Sequence, residues 1–174
     1  MFYIKELDKE LEVHPRFFGP RLREEIERRL RQEVEGTCNG EFGFILGVLG
    51  ITDTGRGLLR EGTGAAVFNL KYSCICFKPF KGEVMDVVVT SVNKMGFFSE
   101  AGPLQVFVSN HLIPEAFEFN TAHEPCYQTA DGEQKIVPGS EVRLRIVGTR
   151  VDAADIFAVG SIKEDYLGVI SAPL

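Results

Sequence analysis

Asp53-Thr54-Gly55 is the tripeptide that surrounds the carboxylate of an aspartic protease. That chemistry needs two carboxylates sharing one proton, because like charges so close cannot both ionise. No second Asp-Thr-Gly or Asp-Ser-Gly occurs in the 174 residues, and Asp131-Gly132 reads only as a turn. A single copy would have to act as a homodimer, so the motif is weak evidence for peptidase chemistry. The neighbouring glycines invite a phosphate-loop reading, which also fails. Gly57 and Gly62 keep the Walker interval without a following lysine, and Gly62-Thr63-Gly64 lacks the third glycine of a dinucleotide fingerprint. Cys38, Cys74, Cys76 and Cys126 contain no Cys-x-x-Cys pair, and His14, His111 and His123 no His-x-x-x-His pair, so zinc finds no ligand set. Cys74 and Cys76 are two apart on a strand-like run and would point both thiols into a core. Nothing resembles a nucleophile with its base. The expectation is a non-catalytic chain without cofactor or metal.

A different chemistry lies in "VNKMGFFSEAGPLQVFVSNHLIP" (92–114). On a strand, Leu104, Val106 and Val108 share one face while Gln105, Phe107 and Ser109 share the other. If the first set lines a core, Phe107 stands outside among polar neighbours. Phe97 and Phe98 are adjacent, so one of them also faces outward. Exposed rings on such strands stack single-stranded bases, at about 1–3 kcal/mol each, and Arg143, Arg145 and Arg150 could hold phosphates. The other reading is that the polar stretch 117–139, or a partner protein, covers the rings; spacing alone favours neither. The charge argues for a weak contact. Residues 1–80 carry 12 basic and 12 acidic side chains, whereas residues 81–174 carry 7 and 13, so the whole net charge of −6 sits in the second half. Nucleic-acid binders normally carry a basic footprint.

The elements that would position these groups follow from periodicity and punctuation. Residues 2–13 alternate as a strand, and "HPRFFGP" stops it. "RLREEIERRLRQEVEG" predicts a helix with Leu22, Ile26, Leu30 and Val34 on one stripe. Its pairs Glu24–Arg28, Glu25–Arg29 and Glu27–Arg31 each place the acid first, the favourable orientation. Residues 41–51 read as a buried strand, 52–64 as a glycine-rich excursion, and 65–80 as a long strand. One helix on an antiparallel sheet makes an α+β layer. Beyond "KPFKG" (78–82) the texture becomes all-β, and five short strands with glycines at the bends fit a closed barrel of the OB type, with 117–139 as an insertion. The expected domains are 1–80 and 81–174. The longest apolar run, "FGFILGVLGI", is far shorter than the ~20 residues a bilayer requires, and the N-terminus lacks a signal-peptide pattern. The reading expects no membrane association and an intracellular location.

The blocks "KPFKGEV", "VNKMGFFSEAGP", "FVSNHLIP" and "GTRVD", taken together, resemble the stalk-subunit family of RNA polymerases, in the form of the seventh-largest subunit of eukaryotic RNA polymerase II. The likeness runs over essentially the whole chain. It implies a truncated ribonucleoprotein-like tip domain followed by an OB-fold barrel that contacts emerging RNA, and a nuclear location. It implies a heterodimer with polymerase subunit 4, and docking at the clamp base against the largest subunit and subunit 6. The docking loop it implies comprises Gly50, Ile51, Gly55, Gly57, Leu58, Gly62, Thr63 and Gly64. On that barrel the strand-face reading above supplies the RNA-contacting candidates, Phe98 and Phe107 with Arg143, Arg145 and Arg150. RNA-binding OB domains of the ribosomal-repeat type often carry two aromatics and a histidine there. In this chain Met95 stands at the first aromatic position, Phe98 keeps the second and Phe107 replaces the histidine; His111 is not equivalent. The equivalent subunit of another nuclear or an archaeal polymerase, and a free-standing single-stranded RNA-binding factor, are the alternative readings.

Overall fold

Strand alternation begins at once. In β1 (Phe2–Val13) the even-numbered residues face solvent, while Leu11 and Val13 close the other face onto a core. A computed structural model describes residues 1–121 and 124–171, which leaves His123 outside the described part. A short 3-10 turn, Pro15–Phe17, leads to α1 (Leu22–Val34), where Ile26, Leu30 and Val34 are buried. The helix has no side-chain cap at Arg21, but Glu24 and Glu25 in its first turn and Arg31 in its last complement the dipole. Glu25–Arg29 and Glu27–Arg31 form as expected. Glu24–Arg28 does not: Arg28 turns its guanidinium onto both oxygens of Glu25 at 2.9 and 2.6 Å, with its other end on Gln32. The double hydrogen bond gives a planar guanidinium better geometry than a single contact to Glu24.

Gly36, at φ +79°, carries the chain out of the helix and donates its N–H to the carbonyl of Ile45. β2 (Cys38–Asn39), β3 (Gly43–Asp53), β4 (Leu58–Leu59) and β5 (Ala66–Phe77) complete an antiparallel sheet in the order β1-β5-β3-β2, with β4 also on β5. Leu30, Leu70, Cys74 and Cys76 are fully buried with Leu11, Val13, Ile45 and Val48 between helix and sheet. At about 1.5–3 kcal/mol per fully buried aliphatic side chain, this layer is what holds the helix on the sheet. The unit spans Met1–Lys78.

The second unit, Pro79–Leu174, is built from β6 (Val84–Asn93), β7 (Gly96–Ala101), β8 (Leu104–Ser109), β9 (Phe117–Asn120), β10 (Cys126–Thr129), β11 (Lys135–Ile136), β12 (Glu141–Val151), β13 (Ile156–Ser161) and β14 (Gly168–Ser171). Strands β12, β6, β7, β8 and β13 pair in that order, and β13 returns to β12, which closes a five-stranded barrel. The one parallel junction is β8 with β13. β12 pairs with β6 over Glu141–Arg145 and with β13 over Arg145–Val151, and the register shift between Ile146 and Gly148 bends it between the two. Val87, Val89, Phe97, Leu104, Val106, Val108, Leu144 and Ile146 fill the interior. Gly160 leaves room there, since a Cβ would lie 3.0 Å from Leu144 and Val106.

Two features exceed the sequence expectation. Phe117–Asn120, Cys126–Thr129 and Lys135–Ile136 form a three-stranded antiparallel sheet, β11-β10-β9, in which Phe119 packs on Tyr127 with ring centroids 5.3 Å apart. β14 adds a further strand along the first part of β12.

Candidate functional site

The glycine-rich loop after β3 is exposed for most of its length. Gly55, Gly57, Leu58, Gly62, Thr63 and Gly64 face solvent; Gly50 and Ile51, at the end of β3, are half-buried. Asp53 is a turn former here: its Oδ1 accepts the N–H of Gly55 at 2.9 Å. The base of the loop is tied by the Arg60 N–H on the Ala65 carbonyl (2.8 Å) and by Arg60 Nη1 on Glu12 Oε2 of β1 (2.6 Å). The glycines divide into two kinds. A Cβ at Gly55 would sit 2.9 Å from the Asn69 carbonyl, and one at Gly57 2.7 Å from the Phe68 ring, so the chain's own packing accounts for these two. At Gly50 and Gly62 nothing lies within 4 Å of the point where a Cβ would stand. Leu58 and Leu59, paired with Val67 and Ala66 of β5, are 65% and 70% exposed. Leu59 was not among the sequence candidates, though its adjacency to Leu58 on a two-residue strand was the available signal. A groove lined by Pro20, Leu22, Ile26, Ile51, Thr52 and Phe68 opens next to the loop.

On the barrel, alternation separates the two phenylalanines: Phe97 is fully buried and Phe98 is 42% exposed. Phe98 faces Phe107 across the β7–β8 register, with ring centroids 4.8 Å apart and planes at 43°. The described part of the 117–136 insertion leaves Phe98 open. The parallel junction then continues the patch: Phe107 pairs with Val159 and Gln105 with Phe157, and both β13 side chains are exposed. Phe157 and Val159 escaped the sequence reading. Their alternation against Ile156 and Ala158 was visible, but their place beside β8 depends on barrel closure.

The arginines differ in availability. Arg143 donates from Nε and Nη2 to the two oxygens of Asp86 at 2.7 and 3.0 Å, and that hydrogen bonding holds the Asp86 carboxyl below its usual range. Arg145 pairs with Glu164. Arg150 is exposed, lies opposite Phe157 in the β12–β13 register, and has no ion-pair partner among the described residues. Lys94, in the turn between β6 and β7, is likewise exposed and without an ion pair among the described residues. Sequence reasoning passed over this lysine, although "NKMG" set it alone at a hairpin tip. Free positive charge beside the rings is therefore local, in keeping with the acidic balance of this half.

Cys74 and Cys76 form a buried pair rather than a reactive one, while Cys38 and Cys126 are half-buried thiols. The thiols of Cys74 and Cys76 lie 3.5 Å apart, and burial, aided by that hydrogen bond, pushes Cys74 up to about 12. The thiolate needed for nucleophilic or metal chemistry is suppressed there. Among the described residues no group of three His, Cys, Asp or Glu side chains is placed to hold a metal ion.

Comparison with known proteins covers both units. Residues 9–64 match the SHS2 domain found in the N terminus of Rpb7p, Rpc25p and MJ0397, and residues 78–160 match the S1 RNA binding domain. The chain is 54% identical over 173 residues to DNA-directed RNA polymerase II subunit RPB7 of Glycine max, covering 99% of this chain and 98% of that protein. It is 45% identical over 173 residues to the corresponding Saccharomyces cerevisiae subunit, covering 98% and 100%. Against DNA-directed RNA polymerase IV subunit 7 of Arabidopsis thaliana the identity is 31% over 130 residues, covering 74% of each.

Proposed function

The chain belongs to the RPB7 family of DNA-directed RNA polymerase II subunits, and from that premise we propose that it is a non-catalytic stalk subunit of a nuclear polymerase II. In this reading residues 1–80 form the tip and 81–174 the RNA-contacting barrel. The tip docks on the core near the clamp, against the largest subunit and subunit 6, through Gly50, Ile51, Gly55, Gly57, Leu58, Gly62, Thr63 and Gly64. Subunit 4 completes a heterodimer. The barrel contacts emerging single-stranded RNA through Phe98 and Phe107, with Arg150 supplying phosphate contact. Arg143 and Arg145 contribute only by exchanging a carboxylate partner for a phosphate. The fall in identity from the polymerase II subunits to the polymerase IV subunit supports polymerase II as the parent enzyme.

One observation carries the reading: a pair of rings, Phe98 exposed and Phe107 half-buried, stands on the outer face of a barrel of the S1 RNA-binding kind. Stacking of bases on such rings tolerates any sequence, which suits a nascent transcript. The test is binding of the full chain to an unstructured oligouridylate. Phe98→Ala with Phe107→Ala is expected to weaken it at least tenfold while the melting temperature holds. Unchanged RNA affinity with weakened binding to another polymerase subunit would assign the rings to a protein interface instead.

A further inference from the structure

The turn that joins β6 to β7 is Asn93-Lys94-Met95-Gly96, closed by the Asn93–Gly96 pair. Two-residue hairpin loops match the twist of their strands when the central residues have positive φ. Neither Lys94 nor Met95 does; the positive φ falls on Gly96 instead, and groups outside the turn's own backbone also tie it down. Three groups hold it. Asn93 Oδ1 accepts the Met95 N–H at 2.9 Å, and the Asn110 N–H donates to the Met95 carbonyl at 2.9 Å. The third is Tyr127 of β10, 34 residues away, whose hydroxyl lies 2.9 and 3.1 Å from the carbonyls of Asn93 and Lys94 and donates its one proton to them. Tyr127 is buried, with its ring against Phe119. Gly96 is obligatory where the strand resumes, because at φ +146° a Cβ would fall 2.0 Å from the Val108 carbonyl.

The turn fixed in this way presents two exposed side chains, Lys94, which has no ion pair among the described residues, and Met95, which is 73% exposed. It also starts the strand that carries Phe98. A cation and a soft apolar side chain at the end of an aromatic stripe suit a phosphate and the face of the next base. We propose that the 117–136 sheet is a clamp on this turn, and that Tyr127 is the positioning residue that keeps Lys94 and Met95 where single-stranded RNA on Phe98 meets them. This rests on the RNA-contact reading above. It gives the insertion a use: the small sheet supplies a hydroxyl donor to the carbonyls of Asn93 and Lys94.

Tyr127→Phe tests it, since the ring packing on Phe119 stays and only the hydroxyl goes. With the full chain and an oligouridylate, affinity is expected to fall about three- to tenfold, with the melting temperature lowered by no more than the few degrees that one lost hydrogen bond costs the fold. If Lys94 loses its phosphate, the slope of log affinity against log salt shrinks by about 0.7, the value for one contact on a single strand. In a Lys94→Ala background the same change should leave that slope unaltered, because the two residues act as one unit. Amide exchange at Met95 and Gly96 should accelerate. The clamp is overturned if Tyr127→Phe leaves affinity intact while the Phe98→Ala, Phe107→Ala pair lowers it, or if the slope shrinks equally with and without Lys94. If the phenylalanine pair also proves indifferent to RNA, the RNA-contact reading itself has failed, and the clamp falls with it as an RNA-positioning device.

Discussion

At Gly50 the N-terminal unit leaves open space where a side chain would fit, and at Gly62 open space around a backbone held at φ +88°, whereas at Phe98 and Phe107 the barrel fills its surface with rings. One surface offers bare backbone and two exposed leucines; the other offers π-faces and a little free charge. A partner that approaches backbone closely must itself be shaped, and it is excluded by added atoms. A partner that stacks on rings is tolerated in many sequences, and it is lost when atoms are removed. The two candidate sites should therefore fail under opposite kinds of substitution.

The largest effect should come where a glycine serves the fold itself. Gly96→Ala drives a carbon into the Val108 carbonyl in a left-handed conformation, and the barrel should lose about 3 kcal/mol or more in urea unfolding. Gly50→Arg is the contrasting case. With nothing within 4 Å of the added Cβ, urea stability should stay within about 1 kcal/mol of the parent, allowing for the strand position, while co-purification with the core polymerase is abolished. Retained assembly would remove the loop from the docking surface. Next in size, Phe157→Ala should weaken oligouridylate binding about fivefold, on the low side of a stacked ring. No change would confine the RNA face to β7 and β8.

The smallest effect concerns neither surface and calibrates both. The Arg28 and Arg29 hydrogen bonds lower the Glu25 carboxyl from the ordinary 4.5 to about 2. Because the folded value is the depressed one, the contribution is complete above the ordinary value and is lost as pH falls through about 2. Glu25→Gln should flatten the acid limb of stability between those values, read by urea unfolding across that range, and leave neutral behaviour of both sites unchanged.

Legibility in the sequence followed the range of the interaction. The stripe of Ile26, Leu30 and Val34, the split of Phe97 from Phe98, and the paired thiols of Cys74 and Cys76 are local consequences of helix and strand periods, and the structure places them as periodicity requires. The pairing of Arg28 was misjudged because two acids lay within reach and geometry chose between them. The strand content of 117–136 was hidden by its turn formers, and the aromatic pair Phe119–Tyr127 and the Tyr127 hydrogen bond to the β6–β7 turn join residues that no local pattern links.

By itself, then, the chain's pattern of apolar spacing and glycine punctuation determined an α+β layer and an all-β barrel, because each element's buried face is set by neighbours three, four or two residues away. Only the tertiary structure decided that β13 lies beside β8, that Asp86 neutralises Arg143 across 57 residues, and that Tyr127 grips the β6–β7 turn. Those partners meet through closure of the sheet, and no local period records which distant residue a closed barrel will bring alongside.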